Sequence, residues 1–329
     1  MQVLVTGGAG YIGSVIVEVL LQRGHDVVVV DNLTKGHAAA VTPPATLIPL
    51  DLADVDGIRR VLASHHFDAA IHMAAHSLVA ESMQQATRYF RNNVSNSLNL
   101  AECLIEAGVR ALVFSSTAAV YGEPETVPIT EEAPLAPTNV YGETKLAVER
   151  MLAWLAQVHG LQWVALRYFN AAGATGRLGE DHHPETHLVP ILLSVASGRR
   201  DHVDLYGTDY ATRDGTCVRD YIHVSDLAAA HILALEGLVR GNLPSGAFNL
   251  GNGAGYSNLE VIEAVRRVTG HPVPVRTGPR RPGDPAALVA SAARIQQTLG
   301  WRAHYPGIDE IVASAWAWHQ QHPHGYSDT

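Results

Sequence analysis

Residues 2–31 constrain this chain more than any other stretch. Val3-Leu4-Val5 begins a short apolar strand, and Thr6-Gly7-Gly8-Ala9-Gly10-Tyr11-Ile12-Gly13 follows as a glycine-rich turn. Residues 15–21 present an apolar helix face, with Gly24 as its stop. Val27-Val28-Val29-Val30 is an unbroken β-branched run, as in a parallel strand covered on both faces, and Asp31 closes it. Strand, glycine turn, helix, strand and acid in this order build a phosphate cradle. The glycines permit a tight turn, close approach of backbone to a pyrophosphate, and close helix–strand packing. Gly7, Gly10 and Gly13, with Tyr11 and Ile12, are therefore candidate cofactor contacts. The helix N-terminus adds unpaired N–H groups and a positive dipole end. Asp31 lies 18 residues past Gly13, where its carboxylate can accept from adenosine ribose hydroxyls. That carboxylate would repel a 2′-phosphate, so the expected cofactor is NAD rather than NADP.

Strand patterns at 46–50, 69–72, 111–114 and 163–166 alternate with helical patterns at 58–63, 87–107 and 140–159. The alternation predicts an α/β chain with a Rossmann-type doubly wound parallel sheet. Such sheets bind ligands beyond the carboxyl ends of their strands. Asn32, Asp51, Leu52 and Ala74 stand at or just past strand ends and join the cofactor candidates, while Asp54 is expected to cap the next helix. His72 and His76 read as polar loop residues beside the cofactor. Near Asn170 the pattern changes. Residues 171–184 read as a glycine-rich loop. Short strands at 204–206, 218–222, 248–250 and 273–275 then mix with helices at 188–196, 225–239, 259–268, 292–299 and 308–320. We expect an NAD-binding domain over 1–170 and a smaller mixed α/β substrate lobe over 171–329, the chain crossing between them more than once.

Net charge is −9 with no basic run, which argues against nucleic acid or an anionic membrane as partner. Two cysteines, Cys103 and Cys217, supply no disulfide framework and fit a reducing compartment. The cofactor strand starts at residue 2 and no apolar run reaches membrane-spanning length, so the expected location is the cytoplasm.

Tyr141 and Lys145 lie four residues apart at the start of a predicted helix and so share a face. A free phenol titrates near ~10, too high for a base at neutral pH. A nearby ammonium and the positive charge of an oxidised nicotinamide both favour the phenolate. Tyr141 can then take a hydroxyl proton while hydride leaves the same carbon. Thr117, at the end of the preceding strand, can hydrogen-bond the oxygen that becomes a carbonyl.

Residues 6–13 with Thr117, Tyr141 and Lys145 resemble the extended short-chain dehydrogenase/reductase family. Further segments resemble its nucleotide-sugar epimerase branch: Val120-Tyr121-Gly122, Leu166-Arg167-Tyr168-Phe169-Asn170, residues 214–224 (DGTCVRDYIHV) and Arg280-Arg281-Pro282-Gly283-Asp284. The resemblance covers essentially the whole chain. It implies NAD-dependent, reversible inversion at C4 of a UDP-hexose through a 4-keto intermediate, in galactose metabolism, by a homodimer paired through helices near 87–107 and 140–159. It implies NAD contacts at Asn93 and Tyr168 besides Asp31 and Asp51, and diphosphate contacts at Asn170, Arg219 and Arg281. Asp284 matches the uridine ribose contact. His187 stands where some members use an asparagine near the uracil, with Leu188 beside it. Leu288 stands at a position that gates the sugar pocket. Thr117 replaces a serine, and Ser77 replaces a lysine that some members use near the cofactor. A 4,6-dehydratase of the same family would carry Asp-Glu directly after the threonine; Ala118 and Ala119 have no proton to give. A UDP-glucuronate decarboxylase is a weaker rival. A non-catalytic NAD-sensing protein is opposed by the intact Thr117, Tyr141 and Lys145. Asp181, His182, His183, Glu185 and His187 are grouped, but with no further ligand set evident we expect no metal centre.

Overall fold

The computed structural model describes residues 1–281 and 284–327; Pro282 and Gly283 of the 280–284 motif lie outside the described residues. β1 (Gln2–Thr6) enters the glycine turn, α1 (Tyr11–Gln22) leaves it, and β2 (Asp26–Asp31) returns parallel to β1. β3 (Thr46–Pro49), α2 (Val55–Ser64) and β4 (Ala69–His72) follow. Asp54 caps α2, accepting from the Gly57 N–H at 2.9 Å. The helix expected over 87–107 is assembled from pieces. α3 (Val79–Ser82), unsignalled by the sequence, precedes α4 (Ala86–Tyr89), a π-helical stretch over Phe90–Ser95, and α5 (Asn96–Glu106). β5 (Ala111–Ser115), α6 (Val140–His159) and β6 (Gln162–Tyr168) complete the first half. α6 starts where Asn139 accepts from the Gly142 N–H and stops at Gly160, whose φ of 69° suits glycine.

The second half departs from expectation in three places. The supposed loop 171–184 opens with a strand, β7 (Asn170–Ala172). After α7 (Leu188–Ala196) and β8 (Val203–Tyr206), the single strand expected at 218–222 is two: β9 (Val218–Arg219) and β10 (Tyr221–His223). Asp220 divides them because its buried carboxylate accepts the N–H groups of Asn252, Gly253 and Ala290, which bends the chain between two small sheets. Next, α8 (Val224–Val239) and β11 (Gly246–Leu250) return to the first half, where β11 pairs with β6. β12 (Tyr256–Ser257) and α9 (Asn258–Thr269) come next. The strand expected at 273–275 begins instead at Val275, as β13 (Val275–Gly278). β14 (Ala287–Leu288), α10 (Ala293–Leu299) and α11 (Ile308–Gln321) end the chain.

The main sheet has seven parallel strands in the order β11-β6-β5-β4-β1-β2-β3. Alternate residues serve opposite layers. Val3, Val5, Val27 and Val29 pack with α1 and α8, while Leu4, Val28 and Val30 pack with α2, α5 and α6. That two-sided burial is why these strands read as continuous apolar runs. A separate core joins α7, α9 and α11 through Leu192, Leu193, Val261, Val265 and Ile311. Strand order reverses between β1 and β4, the place where open α/β sheets form their ligand crevice. Among the described residues no helix is long and apolar enough to cross a membrane.

Candidate active site

A cavity of about 500 Å³ opens at that switch point and extends under the second half of the chain. On its cofactor side lie Gly7, Gly10, Tyr11, Ile12 and Gly13. A Cβ on Gly13 would meet the Gly7 carbonyl oxygen at 2.1 Å, and one on Gly7 would meet the Ala74 nitrogen at 2.5 Å. A Cβ on Gly10 would meet only the Gly7 oxygen, at 3.5 Å, so this backbone faces open space a pyrophosphate can occupy. These glycines divide the work as expected: two for packing, one for ligand approach. Asp31 is buried, its Oδ2 accepting from Ala9 N at 3.0 Å and its Oδ1 from Leu33 N at 2.9 Å. Burial pushes its carboxyl above the usual range, against those hydrogen bonds. Asn32 donates to Asp51 at 2.7 Å, and Asn32, Asp51, Leu52 and Ala74 all border the cavity. The donor set and the space fit a dinucleotide.

Thr117, Tyr141, Lys145 and Tyr168 share one wall. Lys145 Nζ donates to the Ser115 carbonyl at 2.7 Å and stands 6.0 Å from the centre of the Tyr141 ring. Burial lowers the Lys145 ammonium to about 7, with Glu149 opposing the shift. Burial lifts the Tyr141 phenol to about 12, and its hydrogen bond with Thr117 pulls the other way. Among the protein groups around the phenol, desolvation is thus the larger effect. The Tyr168 phenol is likewise raised, first by burial, and pairs with Ser115 Oγ at 2.5 Å.

Behind this wall sits a network that sequence reading missed. Glu149 Oε1 accepts from Ser116 Oγ at 2.5 Å and from Arg167 Nε at 3.0 Å, while Oε2 takes a second guanidinium N–H at 2.5 Å. Arg167 also donates to the Tyr121 hydroxyl, which donates to Asn249. The signal was available: an arginine and a glutamate amid apolar strand and helix patterns must find each other when buried.

Asn170, His187, Arg219, Asp284 and Leu288 line the far side of the cavity. Arg219 is held by the carbonyls of Val218 and Pro285 and by an ion pair with Asp284. Three predicted residues are placed elsewhere. Asn93 donates to Thr144 and to the His76 carbonyl and accepts from His76 N, so its side chain serves the loop that borders the cavity. Leu188 packs into the α7–α9–α11 core. Arg281 lies with its guanidinium 4.1 Å from the centre of the Tyr206 ring. His72 is no loop residue: it ends β4, buried, between Thr6 Oγ1 at 2.7 Å and Ser97 Oγ at 2.8 Å, and burial takes it down to about 3. His76 does border the cavity. The histidine-rich loop converges through Glu180, absent from the sequence grouping, with His182, Glu185 and His187. Asp181 instead pairs with His37 and His183.

Residues 3–251 match the profile of the NAD dependent epimerase/dehydratase family. The chain belongs to that family. Within it, the chain is 54% identical over 329 residues to the UDP-glucose 4-epimerase of Halalkalibacterium halodurans, covering 99% of this chain and 98% of that one. The crystal structure of the Brucella ovis UDP-glucose 4-epimerase in complex with NAD superposes with a TM-score of 0.93 at 44% identity, covering 96% of this chain and 97% of that one. The Bifidobacterium longum enzyme in complex with NAD+ and UDP gives 0.93 at 40% identity, over 99% and 100% of the two chains. Epimerase/dehydratase family membership accounts for the glycine turn, the parallel sheet and the cavity that joins the two halves.

Proposed function

We propose that this chain interconverts UDP-galactose and UDP-glucose by inversion at C4. The observation that carries the reading is the single cavity wall holding Thr117, Tyr141 and Lys145 between a dinucleotide cradle and Arg219. Gly7–Gly13, Asp31, Asp51, Lys145 and Tyr168 would hold NAD, which when bound accepts and returns the C4 hydride and lends the site positive charge. Tyr141 takes the 4-hydroxyl proton and later gives it back. Thr117 donates a hydrogen bond to the oxygen as it becomes the 4-keto carbonyl. Asn170 and Arg219 hold the diphosphate and Asp284 the ribose, so the sugar turns about a fixed tether; Arg281, stacked on Tyr206, stands outside this set. Ala118 and Ala119 border the same space and offer no acid for dehydration. Domain limits near 170/171 fit this division of labour, with the chain crossing back where α8 and β11 join the cofactor half. Incubation with UDP-galactose and no added cofactor should yield UDP-glucose, and denaturation should release NAD. Release of NADP instead would overturn the role given to Asp31.

Lys145→Ala should slow turnover and move the acid limb of the pH–rate profile upward by about 1–3 units, because an ammonium that favours the phenolate is lost. An unmoved limb in a slowed enzyme would limit Lys145 to binding. Leu288 borders the cavity and leaves more room beside C2 of the sugar than a tyrosine would. UDP-N-acetylgalactosamine should therefore be a weak second substrate, its acetamide finding an apolar side chain at a cost of about 1–3 kcal/mol. Leu288→Tyr should remove that activity and largely spare UDP-galactose; parallel loss of both would show that Leu288 is not the gate.

The cytoplasm and a homodimer complete the proposal. Cys103 and Cys217 are free and buried, as a reducing compartment allows. Phe90, Leu98, Trp154 and Val158 are exposed apolar residues, the last two one helical turn apart on α6 at 67% and 68% exposure. Stripes of this kind on neighbouring helices suit a four-helix pairing of two copies. Light scattering at micromolar concentration should give twice the chain mass; a monomer mass would count against it.

A further inference from the structure

The loop between β7 and α7 gathers metal-type donors that the reaction above does not use together. Glu180 Oε1 lies 2.7 Å from His187 Nδ1 and 3.2 Å from His182 Nδ1. Glu185 lies 3.1 Å from His187 Nδ1 through Oε1 and 3.9 Å from His182 Nδ1 through Oε2. One donor atom from each of the four residues falls within 4.8 Å of all the others. We propose that Glu180, His182, Glu185 and His187 bind one divalent ion of the zinc class, which clamps this loop at the edge of the cavity.

Three observations carry the proposal. The first is spacing. Bonds of 2.0–2.1 Å in a tetrahedron put neighbouring donors about 3.3 Å apart, and the four imidazole–carboxylate separations straddle that value. The second is donor chemistry. Two imidazoles and two carboxylates suit zinc, whereas calcium takes six or more oxygens and magnesium a water-rich octahedron. The third is support. Glu180 is 7% exposed and so offers a fixed ligand, while Lys35 donates to the His183 carbonyl at 2.6 Å and anchors the loop to the cofactor half. Glu180, His182 and His187 border the cavity, so a bound ion would stiffen its rim. Binding uses the imidazole nitrogens and carboxylates in their deprotonated form, so a proton carried on a ligating atom leaves to solvent. Without Glu180 the set has one buried ligand fewer, and the sequence grouping lacked it.

The inference is independent of the epimerase reading, because its test needs no sugar nucleotide. Chelator-treated, cofactor-loaded protein is titrated with zinc chloride alone by calorimetry in buffers of different ionisation enthalpy. One equivalent per chain with proton release is expected. Cobalt chloride should give the strong visible bands of a tetrahedral ion. His182→Ala and Glu185→Gln, both at partly exposed positions, should each weaken zinc binding by about tenfold or more. Their metal-free melting temperatures should stay near that of the parent. Magnesium or calcium chloride should produce no saturable heat. Absence of saturable zinc binding, octahedral cobalt bands, or undiminished parental affinity in both variants would reduce the cluster to an ion-pair network and overturn the proposal.

Discussion

Tyr141→Phe should lower kcat by about 10²–10⁴-fold, the range that a positioned proton acceptor contributes. Affinity for the UDP-sugar should stay within about tenfold. The asymmetry follows from placement. Arg219 and Asp284, the residues proposed to hold the nucleotide end, line the same cavity as an ion pair, and loss of one phenolic oxygen leaves that pair untouched. The ring itself remains, since Tyr141 is placed by its backbone N–H on Ser82 Oγ at 3.1 Å and by the α6 scaffold. Burial holds the phenol near 12, so the proposed proton acceptance calls for positive charge at the site, which NAD would supply when bound. The measurement is kcat and KM for UDP-galactose across pH, with UDP affinity by calorimetry as the binding control. Turnover within tenfold of the parent would remove Tyr141 as the base.

The second large effect is on stability. Glu149→Ala should cost about 3–5 kcal/mol, because it leaves the Arg167 guanidinium charged, buried and without its carboxylate. Both side chains are about 5% exposed, and the pair has two parallel hydrogen bonds. Ser116 loses its acceptor in the same step. Glu149→Gln, which keeps the shape and one acceptor, should cost less. Replacing Glu149 and Arg167 together with apolar residues of similar volume should recover much of the loss, since the penalty arises from the orphaned charge rather than from a strong pair. Urea unfolding of the cofactor-loaded protein measures all three. If the double replacement is as unstable as Glu149→Ala, the orphaned-charge account fails. The network also ties α6 to the strand end that carries Thr117, so the surviving single variants should show a lower kcat with KM little changed.

Local patterns in the sequence announce most of this molecule. The first sheet is readable because each strand is buried on both faces and so appears as a β-branched run, and because Gly24, Gly108 and Gly160 mark the helix ends at positive φ. The wall of Thr117, Tyr141 and Lys145 is readable from helix periodicity and strand order. What escapes depends on contacts far apart in sequence. Asp220 looks like one more residue in a strand until the N–H groups of Asn252, Gly253 and Ala290 reach it. Glu180 stands at the edge of the histidine group in sequence, yet its buried position makes it the point on which His182 and His187 converge. The π-helical stretch at Phe90–Ser95 escapes because it keeps the apolar look of an ordinary helix while adding a residue per turn, placing Asn93 at the His76 loop. The extent of Tyr141 desolvation escapes because it is a property of the assembled cavity.

The placement of β11 has a consequence for how the chain is made. Seventy-seven residues separate Tyr168 from Gly246, yet the two strands are neighbours in the same sheet. A ribosome adding roughly 5–20 residues per second needs about 4–15 s to supply them. Through that interval the outer edge of β6 presents a row of free N–H and C=O groups, the template on which strands of other chains assemble. α8, which covers one face of the same sheet, emerges only shortly before β11. The nascent first half is thus incomplete in edge and in cover at once, and a chain released near residue 170 stays so permanently. Vectorial synthesis therefore makes the late-arriving helix and strand the closing step for the cofactor half, rather than an appendage of the lobe that follows.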